Sequence, residues 1–223
     1  MVKKLRIGVL ASGGGTDLQS IIDASENNII NAEVVVVISD KCDAFCLKRA
    51  EKHHINWFFV DSKGLGRDEL DKKIDEILLE NKVDLVVGAG YLKILSKMFI
   101  EKWYGKIINI HPALLPSFKG ANGQADAIDY GVKISGCTTH FMNEDMDSGP
   151  IILQAAVKVM PDDNRDEIAA RILEVEHQIL PRTIDLFEQG RLKINGRKVE
   201  ISKGDSWKDK YSVLSDVLYS EGY

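Results

Sequence analysis

Short apolar runs alternate with amphipathic stretches along this chain, and the alternation predicts its elements before any single residue is weighed. Leu5 to Leu10 is one apolar run. Glu33 to Ser39 contains four consecutive valines, Val34 to Val37, as expected of a strand covered on both faces in a parallel sheet. Asn56 to Val60, Asp84 to Gly88 and Lys106 to His111 continue the strand series. Helical patterns fill the intervals: a stretch opening near Thr16 with Ile21, Ile22 and Ala24, then Asp43 to His53, Arg67 to Leu79 with Leu70, Ile74, Ile77 and Leu78 on one side, and Lys97 to Trp103. Thr16 and Gln19 stand at capping-box spacing. Such alternation predicts an α/β fold, a doubly wound and mostly parallel sheet flanked by helices on both faces. Its ligand crevice is expected at the carboxyl ends of the strands.

The pattern changes after His111. Leu114 to Gly123 has too much Pro and Gly for regular structure, and Gln124 to Tyr130 suits a short helix. Two β-rich stretches follow, Ile134 to Met142 and Ile151 to Met160, joined by Asn-Glu-Asp-Met-Asp-Ser-Gly-Pro. Asn164 and Glu167 form a second capping-box spacing. It opens a helix with Ile168, Ile172, Val175 and Ile179 at helical intervals, expected to kink at Pro181 and stop at Gly190. Leu192 to Ile201 reads as a C-terminal hairpin turning at Asn195-Gly196 in a type I′ turn, and the polar stretch from Ser202 reads as periphery. No repeat or linker divides the chain. A single domain, 1–223, is expected, with a first half to about residue 105, a second to 190 and a tail from 191 to 223.

Composition narrows the class. Hydrophobic residues at 44% and charged ones at 28% exclude a disordered chain, and a formal charge of −5 gives no electrostatic reason to expect nucleic acid. No apolar run approaches membrane-spanning length, and Met-Val-Lys-Lys-Leu-Arg-Ile-Gly runs directly into the first strand. A cytoplasmic protein without a membrane partner is expected. Three cysteines, Cys42, Cys46 and Cys137, form no pair at ligand spacing, so they are expected to be buried thiols, with no disulfide framework and no metal.

Four polar features carry candidate chemistry. Gly13, Gly14 and Gly15 lie between a strand and a helix start, where close backbone approach and unpaired N–H groups suit a phosphate; a flexible turn is the plain alternative. Asn109 and His111 share one face at the end of a strand closed by Pro112. They offer an amide donor and a group titrating near neutrality, or else a satisfied core pair. Asp145 and Asp147 sit in the acidic connection before Ser148-Gly149, and Glu176 lies beside the apolar stripe of the long helix. Turn formation and an ordinary surface carboxylate are the respective alternatives.

The ordered set of motifs resembles the phosphoribosylglycinamide formyltransferase family of folate-dependent transformylases. It comprises Ser-Gly-Gly-Gly-Thr-Asp-Leu-Gln at 12–19, Ala-Gly-Tyr-Leu-Lys-Ile-Leu-Ser at 89–96, Asn-Ile-His-Pro-Ala-Leu-Leu-Pro at 109–116, Gly-Cys-Thr-Thr-His-Phe at 136–141, Asp-Met-Asp-Ser-Gly-Pro at 145–150 and Glu-His at 176–177. The resemblance covers roughly residues 5 to 190 and implies formyl transfer from 10-formyltetrahydrofolate, as co-substrate, to the amino group of glycinamide ribonucleotide. By the same resemblance Asn109, His111 and Asp147 are the expected catalytic residues, with Thr138 supporting them. Gly15, Thr16, Asp17 and Leu18 are expected to hold the ribonucleotide phosphate, and Glu176 its sugar or glycinamide end. Arg67, Leu92, Lys93, Ile94, Leu95, Asn109, Asn143, Glu144, Asp145 and Met146 are expected around the folate.

Two positions depart from the family pattern. Asp17 stands where Asn is more frequent, so its side chain is expected to turn away from a phosphate, and Lys93 stands where Arg is frequent. A monomer or a homodimer fits equally. Among relatives, a methionyl-tRNA formyltransferase is expected to carry a further C-terminal domain where only 191–223 follow here, and a formyltetrahydrofolate hydrolase a further N-terminal one ahead of Leu5. A nicotinamide-dependent oxidoreductase, suggested by the glycines and Asp40, lacks its third glycine, since Leu18 stands there.

Overall fold

The computed structural model describes residues 3–204, 214–220 and 222. Five strands are laid down in the first half: β1 (Leu5–Leu10), β2 (Ala32–Ser39), β3 (Asn56–Phe59), β4 (Leu85–Gly88) and β5 (Ile107–His111). They alternate with α1 (Thr16–Glu26), α2 (Phe45–Lys52), α3 (Arg67–Glu80) and α4 (Lys97–Lys102). All pair in parallel in the order β3-β2-β1-β4-β5. The second half adds α5 (Gly123–Tyr130), β6 (Ile134–Phe141), β7 (Ile151–Lys158) and α6 (Arg165–Glu188). Here β6 is antiparallel to β5, and β7 antiparallel to β6. The expected α/β architecture is present, as a mixed sheet that changes from parallel to antiparallel pairing at β5.

Helices cover both faces, as the doubly wound pattern requires. On one face Leu18, Ile21 and Ile22 of α1, Cys46 and Leu47 of α2, and Ile168, Ile172, Val175 and Ile179 of α6 pack on Val9, Val37 and Ile108. On the other, Leu70, Ile74 and Leu78 of α3 and Phe99 and Ile100 of α4 meet Leu10, Ile38 and Val86. The four valines of β2 divide between two cores, Val34 and Val37 in the first and Val35 and Val36 in the second. Cys46 and Cys137 are buried thiols, whereas Cys42 is exposed, contrary to expectation.

Other local expectations are altered. Thr16 does not cap α1: it is the first helical residue, the N-cap is Gly15 in the left-handed conformation (φ 67°), and no side chain caps it. Gln19 turns instead to Asp23. The Asn164–Glu167 capping box does form, with the Asn164 side chain accepting from the amides of Asp166 and Glu167. α6 continues through Pro181 to Glu188. The hairpin β8 (Leu192–Asn195) and β9 (Lys198–Ile201) turns one residue later than expected. Asn195 pairs with Lys198, so the loop is Gly196-Arg197, with positive φ at Gly196 and not at Arg197. Gly at the first loop position suits a II′ turn rather than I′. The described strands after 190 belong to the sheet rather than the periphery, because β9 and β10 (Leu218–Tyr219) both pair with β7.

Candidate active site

Register explains how the site is assembled. In the β5–β6 ladder Asn109 faces His140 and His111 faces Thr138, so alternate side chains of two antiparallel strands share one face. On the other side of β5, Asn109 pairs with Gly88 of β4. A Cβ at Gly88 would lie 2.7 Å from Asn109 Oδ1, so the absent side chain is what gives Asn109 its seat.

Asp147 arrives from the acidic connection after β6, in a left-handed backbone conformation (φ 48°). Its carboxylate lies between two imidazoles, 3.4 Å from His111 Nδ1 and 3.6 Å from His140 Nε2. The Gly120 amide donates to Oδ2 at 2.9 Å. Burial alone would raise the Asp147 carboxyl, but the hydrogen bonds from His140 and Gly120 and the charge of His111 outweigh it, leaving it below the usual carboxylate range. For His111 burial wins: its pKa is lowered despite the neighbouring carboxylate.

Hydrogen-bond partners fix the tautomers. His111 Nε2 lies 2.8 Å from the Phe118 carbonyl and therefore donates, leaving Nδ1 as the basic nitrogen on the Asp147 side. His140 Nδ1 is 3.0 Å from the Phe141 carbonyl and donates likewise. Its Nε2 lies 3.3 Å from Asn109 Nδ2 as well as facing Asp147, accepting from the amide when neutral and donating to the carboxylate when protonated, and the second N–H of Asn109 is left for a ligand oxygen.

A cavity of about 390 Å³ opens beside this cluster. Asn109, His111, His140 and Asp147 line it, together with Leu92, Lys93, Ile94, Leu95, Asn143, Glu144, Asp145 and Met146. Every residue expected at the folate does so except Arg67, which opens α3 and does not line the cavity. The wall is largely apolar, with a buried acceptor, Asn143 Oδ1, that has no hydrogen-bond partner among the described residues. Asp40 is engaged by Lys93, 3.8 Å from its Nζ, which occupies the carboxylate that the oxidoreductase reading would have used.

Gly15, Thr16, Asp17 and Leu18 sit apart from the cavity lining, at the carboxyl end of β1. The loop before them is tied to the cavity wall, since Ser12 N donates to Gly90 O and Ser12 Oγ accepts from Leu92 N, both at 3.0 Å. A Cβ at Gly15 would meet Cys46 Cβ at 2.6 Å and its Cα at 2.9 Å, so this turn is welded to the start of α2. The Asp17 side chain turns inward, towards Glu176 and His177 of α6. Thr138 supports the site at one remove: its Oγ1 donates to Ala113 O and accepts from Leu115 N, pinning the chain just beyond His111.

One participant carries no role in the sequence reading. His140 sits in the 136–141 motif, and its spacing of two from Thr138 is the signal that places it on the same face. The loop acceptor at Phe118 and the loop donor at Gly120 carry no comparable signal, because they reach the site through irregular backbone.

Comparison with known proteins adds an independent line. The model of the family described as formyl transferase matches residues 5–184. The chain is 44% identical over 190 residues to phosphoribosylglycinamide formyltransferase of Haemophilus influenzae, covering 85% of this chain and 90% of that protein. It is 41% identical over 192 residues to the trifunctional purine biosynthetic protein adenosine-3 of Gallus gallus, covering 86% of this chain but only 19% of that longer protein. The crystal structure of glycinamide ribonucleotide transformylase 1 from Symbiobacterium toebii superposes with a TM-score of 0.89 at 43% identity, covering 91% of this chain and 96% of that one.

Proposed function

The chain belongs to the formyl transferase family, and we propose that it transfers the formyl group of 10-formyltetrahydrofolate to the amino group of glycinamide ribonucleotide, giving N-formylglycinamide ribonucleotide and tetrahydrofolate in purine biosynthesis. The observation that carries this reading is the meeting of Asn109, His111, His140 and Asp147 at one end of a largely apolar cavity, next to a glycine-lined helix start. No helix among the described residues is long and apolar enough to cross a membrane, and the reading carries a cytoplasmic setting with it.

Each role follows from an atom. When the amine attacks the formyl carbon, charge develops on the carbonyl oxygen, and the free N–H of Asn109 is the donor placed to receive it. His111 Nδ1 takes the proton released by the amine, and that proton is then bridged to Asp147 Oδ2. It leaves for the folate nitrogen as tetrahydrofolate departs. His140 holds Asn109 and Asp147 in place. The unpartnered Asn143 Oδ1 suits an N–H of the pterin ring, and the backbone of residues 143–146 its remaining edge. The phosphate goes to the amides of Gly15, Thr16, Asp17 and Leu18, and the sugar or glycinamide end to Glu176.

Mixing the protein with both substrates and following tetrahydrofolate absorbance tests the proposal; sustained turnover with formylated ribonucleotide is expected. Formate release without ribonucleotide consumption would mark a hydrolase instead. Formylation of charged initiator tRNA would mark the third member of the group.

A further inference from the structure

A carboxylate stands in the first turn of the helix that is to receive an anion, where its charge opposes the ligand. Asp17 turns away from the entrance, yet its Oδ1 is buried and has no hydrogen-bond partner among the described residues. The atom facing it is His177 Nε2, 3.9 Å away, equally buried and equally unpartnered. The two buried atoms face each other beyond hydrogen-bond distance with no other partner, an arrangement that an added proton converts into a charge-assisted pair.

The surroundings set which groups can supply that proton. Burial, and then the Asp17 charge, raise the carboxyl of Glu176, next to Asp17 on the α6 side, well above its ordinary range and favour its neutral form. Burial pushes the Asp17 carboxyl up to about 6 and lowers the His177 imidazole. Arg49 of α2 and Glu174 of α6 act on His177 from outside, with Asp23 of α1. Arg49 is itself engaged by Gly14 O and Gln19 Oε1. From β6 only the Cys137 thiol faces the pair, and burial raises it well above its ordinary value. Near neutral pH the pair therefore carries one net negative charge, on the residue whose own amide belongs to the proposed phosphate site.

We propose that Asp17 and His177 take up one shared proton when the ribonucleotide phosphate binds at the amides of Gly15 to Leu18, which makes Asp17 a specificity-determining residue that couples ribonucleotide binding to protonation. The inference rests on the phosphate site of the proposed function. Uptake removes the net charge that opposes the ligand and gives the two orphaned atoms a charge-assisted partner in each other. An Asn at position 17, the more frequent residue by resemblance, would bring its own N–H and need no proton.

Calorimetric titration at pH 7.5, in two buffers of different ionisation enthalpy, counts the protons. With glycinamide ribonucleotide, the wild type is expected to take up close to one proton more per ligand than Asp17→Asn, whose difference cancels the titration of the phosphate itself. Above neutral pH its affinity should fall about tenfold per pH unit relative to that variant. His177→Gln should abolish the same excess, which protects the test against a folding defect in either variant alone. Equal proton counts in wild type and both variants overturn the inference while leaving the proposed function standing. The excess appearing with ribose 5-phosphate but no binding of glycinamide ribonucleotide would uphold the inference and refute that substrate. Failure of both sugar phosphates to bind overturns the phosphate site and the inference together.

Discussion

The glycine turn after β1 and the cluster where β5 meets β6 lie at the same end of the sheet with β4 between them, but are built by opposite means. The first presents backbone: Gly15 is left-handed, its missing Cβ lets the loop press on Cys46, and the N–H groups of α1 point outward without a side-chain cap. The second presents side chains, each fixed by a partner on another element: Asn109 by His140, His140 by Phe141, His111 by Phe118, Asp147 by Gly120. Backbone sites tolerate most side-chain exchange but not a change of backbone conformation. Side-chain sites are the reverse, since one lost partner releases the next.

The sharpest break in that comparison is Asp147→Asn. It leaves the shape and removes the charge that both imidazoles face, so turnover is expected to fall roughly 10²- to 10⁴-fold while ribonucleotide affinity stays unchanged. The sign of the pH effect follows from the site. Burial lowers the His111 pKa and Asp147 partly restores it, so the acid limb of kcat/KM should move to still lower pH in the variant. Because the folded-state pKa of Asp147 is itself depressed, its contribution to stability is present above the ordinary carboxylate range and is lost as pH falls through the depressed value. An unmoved acid limb would detach His111 from Asp147.

Legibility in the sequence divides along the same line. The turn at Gly13 to Gly15 and the strand ending in Asn109 and His111 are local patterns, and their element types were readable because period and composition are local quantities. Asp147 and His140 were harder to interpret, as their meaning depends on a β5–β6 register that brings residues 109 and 140 face to face. Thr16 illustrates the opposite failure: its spacing to Gln19 suits a capping box, but a left-handed Gly15 takes the N-cap position, so the helix starts one residue early and its first amides are left without a side-chain cap. The hairpin turn slipped by one residue for a similar reason, because both Asn195-Gly196 and Gly196-Arg197 satisfy a two-residue turn and only pairing chooses between them. Arg67 lies outside the cavity lining and outside the motifs, so its expected place near the folate rests on the resemblance alone.

A charge placed on the backbone site should act on one ligand only. Gly15→Asp is a poor probe, because its Cβ would strike Cys46 and any loss would mix packing with electrostatics. Nothing lies within 4 Å of a Cβ built at Gly14, so Gly14→Asp introduces charge without that clash. Ribonucleotide affinity is expected to weaken roughly tenfold at low salt and less as salt screens it, with folate affinity unchanged. Equal weakening of both ligands in direct binding measurements would mean that the two strand ends are not separable.

The smallest expected effect tests what joins the two regions. α6 packs on α1 in the first half and on β6 and β7 in the second, and it carries Glu176 and His177 towards Asp17. Its start is fastened by the Asn164 side chain, which accepts from two amides, and by Glu167, which accepts from the Asn164 amide. Asn164→Ala should cost about 1 kcal/mol of stability, the ordinary worth of an N-cap, seen as a small fall in Tm. The cap lies three helical turns before Glu176, so fraying of the first turn should not reach the ribonucleotide side. kcat and both affinities should therefore hold while Tm drops; a selective loss of ribonucleotide affinity would show instead that α6 transmits strain from its start to the backbone site.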